Sequence, residues 1–135
     1  MENVKSAPTV LDAVPEAVQK KQGEIAESGE TYLETILVIK ERRSNGLVRA
    51  VDVANELKLS KPSVSRGLSL LKEKEYIKVG IAGDIEFTPE GRKVAEAVFR
   101  RHQYLTVFFK HIAKVPSDVA EYDACRVEHV ISEKT

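Results

Sequence analysis

The stretch Val51-Asp52-Val53-Ala54-Asn55-Glu56-Leu57-Lys58-Leu59-Ser60-Lys61-Pro62-Ser63-Val64-Ser65-Arg66-Gly67-Leu68-Ser69-Leu70-Leu71 reads as two short helices joined by a tight turn. Val53, Ala54 and Leu57 fall on one helical face, so a helix over about Val51 to Leu57 buries that face. Leu59 is expected to plug the turn. Ser60 has the side chain of a helix N-cap, and Pro62 stands in the next first turn, where a missing N–H costs little. Val64, Leu68 and Leu71 continue as the buried stripe of that helix and leave Ser63, Ser65, Arg66 and Ser69 on its other faces. Ala54 is small enough for close helix contact, and Val64 is placed to pack back on Val53 and Leu57. Gly67 in mid-helix costs ~1 kcal/mol relative to alanine, which argues for a close approach there.

Upstream, Tyr32, Leu33, Ile36, Leu37 and Ile39 give a helical apolar face, followed by the charged run Lys40 to Arg43. Asn45-Gly46 closes that helix as a left-handed cap would. Downstream, Tyr76-Ile77-Lys78-Val79-Gly80-Ile81 and Ile85-Glu86-Phe87-Thr88 are short β-prone runs on either side of Ala82-Gly83-Asp84, the pattern of a hairpin. Thr88-Pro89-Glu90 opens a fourth helix with a capping residue, a first-turn proline and an acid. This helix is expected to reach about Ile112, carrying His102 and the apolar cluster Leu105, Val107, Phe108 and Phe109. Val115-Pro116 breaks it, and Ser117-Asp118 starts a last helix expected to run on past His129. Residues 1–28 read as an extension, poorly ordered or partly helical: Pro8, Pro15, Gly23 and Gly29 punctuate it, while Val10, Val14 and Val18 repeat at four-residue spacing.

The order helix, helix, tight turn, helix, hairpin gives a mainly α fold with a small β-hairpin, laid out as a winged helix-turn-helix. In such modules the second helix of the pair enters the major groove and its N-terminal residues meet DNA. Ser60, Lys61, Pro62, Ser63 and Ser65 form that N-terminal region, whose hydroxyls and charge suit phosphates and base edges. Arg66, one turn in, is suited to a bidentate contact with guanine. The hairpin tip is not basic, so its backbone contacts are expected to rest on Lys78. Winged helices also bind other proteins, and fold alone does not separate the two uses.

Composition sets outer bounds. The 135 residues are enough for one compact core or a small domain with an accessory segment. Lys+Arg and Asp+Glu both number 21, so any nucleic-acid preference has to come from a local patch rather than from net charge. One cysteine excludes an internal disulfide and fits a reducing cytoplasm. No segment approaches ~18 consecutive apolar residues, and the N-terminus lacks the layout of a signal peptide, so no membrane partner is expected.

Close to the C-terminus stands Asp123-Ala124-Cys125-Arg126-Val127-Glu128-His129. On a helix, Cys125, Glu128 and His129 lie at i, i+3 and i+4 and share a face. A thiolate, a carboxylate and an imidazole there form a mixed donor set suited to a divalent transition metal. Taken singly, each has a plainer use: Cys125 as a buried inert thiol, His129 as a core histidine, Glu128 as a surface acid. His102 beside Arg100 and Arg101, and Glu34 on the first helix, likewise read singly as surface residues.

With both motifs in one chain, the sequence resembles the diphtheria toxin repressor family of metal-dependent transcriptional regulators, over about Glu30 to Ser132. The resemblance rests on Tyr32-Leu33-Glu34-Thr35-Ile36, Val53-Ala54-Asn55-Glu56-Leu57, Ser60-Lys61-Pro62-Ser63-Val64-Ser65, Thr88-Pro89-Glu90-Gly91 and Arg101-His102. Above all it rests on Asp123 to Val130. It implies a winged helix-turn-helix DNA-binding domain over 29–95 and a helical metal-binding and dimerisation segment over 96–135, shorter than the family's, which continues with more helix. The iron branch adds an SH3-like domain that this sequence does not contain.

By the same resemblance Cys125, Glu128 and His129 match ligands of the regulatory metal site, with Cys125 as in the iron-sensing branch. His102 matches a histidine ligand of both branches, and Glu34 a carboxylate ligand of the manganese branch. The implied cofactor is Fe(II) or Mn(II), with Zn(II) and Co(II) compatible with the donors. The implied partners are a double-stranded DNA operator and a second copy of the chain. Three positions depart from the family pattern: Thr31 replaces a methionine or aspartate ligand, Thr106 an acidic ligand, and Glu121 a histidine. The expected function is repression of metal-uptake genes. The alternative is a metal-independent winged helix, binding DNA or protein, in which Thr31 marks a decayed site. An enzyme built on Cys125 and His129 lacks oxyanion donors, an orienting acid and a substrate loop.

Overall fold

A computed structural model describes residues 27–132 and 134–135. Helix α1 (Glu27–Arg42) supplies the largest share of the core through Leu33, Ile36, Leu37 and Ile39, all nearly inaccessible to solvent. Beyond its end at Arg42 the chain turns through Asn45 and Gly46. Gly46 takes φ +65°, where a side chain would be strained, and Asn45 Oδ1 accepts from the Leu47 amide at 3.1 Å. Of the extension read over 1–28, residues 1–26 lie outside the described residues, whereas Glu27 and Ser28 form the first turn of α1.

Helices α2 (Ala50–Leu57) and α3 (Lys61–Glu73) are the helix-turn-helix pair. The first is fastened at its start, where Asp52 accepts from the Arg49 amide at 2.9 Å and takes a two-pronged bond from Arg43 at 2.9 and 2.8 Å. The Arg43 bond, followed by the Arg49 amide, holds the Asp52 carboxyl below its usual range. Lys58, at φ 55°, turns the chain between the helices, and Leu59 N–H reaches back to Ala54 O at 3.1 Å. The turn is therefore closed by backbone bonds. Leu59 itself is 45% exposed, so the expected plug does not form. Ser60 caps α3 as expected, accepting from Ser63 N, and Val64, Leu68 and Leu71 are its buried stripe.

A two-stranded antiparallel hairpin follows, β1 (Ile77–Val79) and β2 (Ile85–Phe87), paired Ile77↔Phe87, Lys78↔Glu86 and Val79↔Ile85. Ile77 and Ile85 point into the core, and the Ile85 amide bonds Val48 O at 2.8 Å, tying the wing to the loop before α2. Helix α4 (Pro89–Val107) starts under a Thr88 cap and runs unbroken across residue 95, so the two segments expected on either side of that residue share one helix. Its last turn widens into a π-turn over Phe108–Ile112, within the span expected to be plain α-helix.

Helix α5 (Ser117–Val127) lies against α4, with Ala120 and Ala124 fully buried, and α4 in turn packs along α1. The last helix was expected to continue through His129 but ends at Val127. Glu128 retains helical angles as the cap residue (φ −57°, ψ −26°), and its N–H still bonds Ala124 O. His129 belongs to the turn that follows.

Candidate metal centre

Three elements converge on one region: the first two turns of α1, the middle of α4, and the end of α5 with the turn after it. The backbone stays helical through Glu128, which stands near Cys125 on one side and His129 on the other. The apposition of α4 adds His102, and that of α1 adds Glu34. All five residues expected as ligands come together, in two groups. His102, Cys125 and Glu128 have ligand atoms within 4.8 Å of one another, and so do Glu34, Glu128 and His129. Glu128, with 0% exposure, belongs to both.

The contacts define the centre more closely. Glu128 Oε2 lies 2.9 Å from His102 Nδ1, and Glu128 Oε1 lies 3.1 Å from His129 Nε2. The second contact is near enough for an ion pair but lacks hydrogen-bond alignment. Among the described residues no hydrogen-bond donor reaches Glu128 Oε1 or Glu34 Oε2. Two buried carboxyl groups this close are costly unless a proton held by Glu34 against Glu128, or a cation, offsets their charge.

The protonation pattern reflects the same crowding. Burial, then contact with the Glu128 carboxylate, pushes Glu34 up to about 8. Burial alone would lower His129, but its close contacts with Glu128 and Glu30 and the charges of Glu128 and Glu34 outweigh it and carry His129 to about 9. Burial would raise Glu128, yet contacts with His129 and Glu34 and the charge of His102 bring it below its ordinary value. Cys125 is raised, by burial and then by Glu128, Glu34 and Glu121, although the residue as a whole is exposed. The plainer alternative, a buried inert thiol, therefore does not apply: the thiol borders the cluster from the surface side.

The departing positions behave differently from one another. Thr31 Oγ1 sits 3.2 Å from His129 Nε2, at the edge of the donor set. Thr106 Oγ1 donates to His102 O at 2.8 Å, so that hydroxyl serves its own helix. Glu121 is exposed on α5.

A further residue, Glu30, was not among the expected ligands. It is 3% exposed, with Oε1 3.3 Å from His129 Nδ1 and Oε2 accepting from Arg101 Nη2 at 3.2 Å. A signal for it exists in the sequence: Glu30 and Glu34 are like charges at i, i+4, a pairing that is unfavourable on a helix unless something positive lies between or beside them.

The residues singled out for DNA lie together at the start of α3. Lys61, Pro62, Ser65 and Arg66 are exposed and Ser63 is half-buried. Ser60 is exposed, but its hydroxyl is already engaged, accepting from Ser63 N at 3.3 Å and donating to Ser63 Oγ at 2.9 Å. Gly67, next to Arg66, faces inward, and a methyl group there would run into the ring of Tyr32 on α1. Tyr32 is flanked in sequence by Thr31 and Leu33, so α1 touches the candidate metal centre and α3 within one turn.

Two family models match consecutive parts of the chain. One, described as the N-terminal DNA binding domain of the iron dependent repressor, covers residues 24–81. The other, its metal binding and dimerisation domain, covers residues 88–135. The iron-dependent repressor IdeR of Mycobacterium bovis is 31% identical over 110 residues, which is 82% of this chain and 47% of the relative. The diphtheria toxin repressor of Corynebacterium glutamicum is 30% identical over 112 residues, 82% of this chain and 48% of that protein. The chain thus spans about half the length of the curated relatives it matches. Among solved structures, a manganese-dependent transcriptional repressor in complex with manganese superposes with a TM-score of 0.71 at 24% identity, over 78% of this chain and 48% of that one. That likeness establishes the fold. The two consecutive family matches, with these relatives, show that the chain belongs to the iron-dependent repressor family, the family of the diphtheria toxin repressor.

Proposed function

We propose that the chain is a metal-responsive, DNA-binding transcriptional repressor whose regulatory ion is held by Glu34, His102, Cys125, Glu128 and His129. The observation that carries this reading is the fully buried Glu128 carboxylate common to two donor groups, one with His102 and Cys125 and the other with Glu34 and His129. One sulfur, two imidazoles and two carboxylates suit Fe(II) or Mn(II) and are compatible with Zn(II) and Co(II). When bound, the ion supplies positive charge and directional bonds joining α1, α4 and the turn after α5. Its role is binding rather than chemistry: Cys125 is raised, the reverse of what a nucleophilic thiol needs.

Regulation follows from what α1 touches. Through Tyr32 it seats Gly67, so the position of α1 sets how Ser65 and Arg66 are presented. Lys61 and the serines would engage phosphates, Arg66 a base edge, and Lys78 of the wing the adjoining backbone. Exposed Tyr104, Phe108, Ile112 and Tyr122 form an apolar face on the end of α4, the π-turn and α5, suited to a second copy. A dimer would place two recognition helices on half-sites about one helical turn apart. A role at DNA places the chain in the cytoplasm, and among the described residues no helix is long and apolar enough to cross a membrane.

The test is a gel shift on the promoter of a metal-uptake gene from the source genome, under anaerobic conditions, with Fe(II) or Mn(II) and again after chelation. A metal-dependent shift is expected. Equal binding in both states would favour the metal-independent winged helix.

A further inference from the structure

We infer that Glu30 is a positioning residue that fixes the ring of His129 and so decides which of its nitrogens is offered to the metal; this rests on the metal-binding reading above. A histidine ring is nearly symmetric about its second torsion, and a half-turn exchanges its two edges. Left unheld, the His129 ring could present either edge to Glu128 and Glu34. Glu30 Oε1 lies 3.3 Å from Nδ1, and in that orientation Nε2 points at the donor cluster, 3.1 Å from Glu128 Oε1. With a carboxylate accepting from Nδ1–H, the neutral ring keeps its lone pair on Nε2, the arrangement by which an outer carboxylate orients a metal-bound histidine.

Glu30 is itself fixed. Its other oxygen accepts from Arg101 Nη2 at 3.2 Å, and its side chain is 4% and that of Arg101 16% exposed. Arg101 immediately precedes His102, so the chain of contacts Arg101–Glu30–His129 spans α4, the start of α1 and the turn after α5, alongside the ligands rather than among them. An acid in the first turn of a helix ordinarily faces water and the helix dipole. Glu30 turns inward instead, and a buried carboxylate requires such partners.

The test compares four anaerobic, metal-free proteins, wild type, Glu30→Ala, Glu30→Gln and Glu30→Asp, each titrated with Co(II) and followed by visible absorption. Melting of each metal-free protein is measured alongside. Glutamine keeps an acceptor at the same reach without the charge; aspartate keeps the charge but withdraws the acceptor by one methylene. Positioning predicts a loss of Co(II) affinity of about 10- to 100-fold for Glu30→Ala. Glu30→Gln should recover most of it with the wild-type spectrum, and Glu30→Asp should resemble Glu30→Ala. If alanine does not fold, the glutamine and aspartate pair decides the matter. Wild-type affinity in both Glu30→Ala and Glu30→Asp would make Glu30 merely structural. Wild-type behaviour in aspartate with loss in glutamine would mean that charge, not orientation, matters. A wild-type protein showing no Co(II) absorption band would overturn the metal reading itself, an outcome visible before any variant is compared.

Discussion

Glu34 and His129 hold protons where a metal ion would otherwise supply positive charge. With Glu34 at about 8 and His129 at about 9, both are protonated near neutrality in the metal-free chain, and both must lose that proton to act as ligands. Metal binding should therefore release protons, and affinity should climb from pH 6.5 to 8.5. Calorimetry in buffers of different ionisation enthalpy checks this, and a flat affinity over that range would contradict it. The same shifts set a stability trend. Both groups are raised in the folded state, so their contribution is full below their ordinary values of 4.5 and 6.5 and is lost as pH rises through about 8 and 9. Metal-free protein should melt lower at pH 9 than at pH 6, with added metal reducing the difference. Cys125→Ala should weaken metal binding strongly with little change in melting, because the residue is exposed and buries little; unchanged affinity would remove it from the site. That Cys125 and His129 stand near Glu128 was legible from spacing alone. Glu34 and His102 needed the family resemblance, since nothing local marks them. Glu30 was missed because its partner His129 lies 99 residues away, and a first-turn acid already has a sufficient local explanation.

The lesson at the scale of elements is carried by α1 and α3. A glycine in mid-helix invites the expectation that alanine there stabilises by ~1 kcal/mol. Here the tyrosine ring occupies that space, so Gly67→Ala should instead destabilise, by about 1–3 kcal/mol as overpacked sites do. A denaturant midpoint measures it, and a stabilised variant would show the Tyr32 contact to be loose. Arg66→Ala should weaken specific DNA binding more than non-specific binding, whereas a uniform loss would demote Arg66 to a phosphate contact. Most elements could be read in advance because their signals are local: the Ser60 and Thr88 caps, the first-turn prolines, and the Asn45-Gly46 turn that follows α1. The exceptions have tertiary or backbone causes. The turn between α2 and α3 is closed by Leu59 N–H on Ala54 O, which leaves the Leu59 side chain free to face water. The π-turn at Phe108–Ile112 and the end of α5 at Val127 have no distinctive residue to announce them.

Over the whole molecule, α1 is the member common to the proposed metal site and the proposed DNA face. It packs on α4 beside the donor cluster and on α3 beside the DNA face, and α4 itself continues from the wing into the C-terminal segment without a break. A change in how firmly α1 is held therefore reaches α3 without any long route. The exposed apolar face of Tyr104, Phe108, Ile112 and Tyr122 predicts self-association. Phe108→Glu should shift sedimentation toward the monomer and lower operator affinity while leaving metal binding in place; an unchanged oligomeric state would put the dimer contact elsewhere. All of this depends on an ion binding where the five side chains meet. Anomalous diffraction from crystals grown with Mn(II) tests that most directly. The predicted result is a single region of anomalous density enclosed by Glu34, His102, Cys125, Glu128 and His129. Density elsewhere, with these five side chains still paired among themselves, would contradict it.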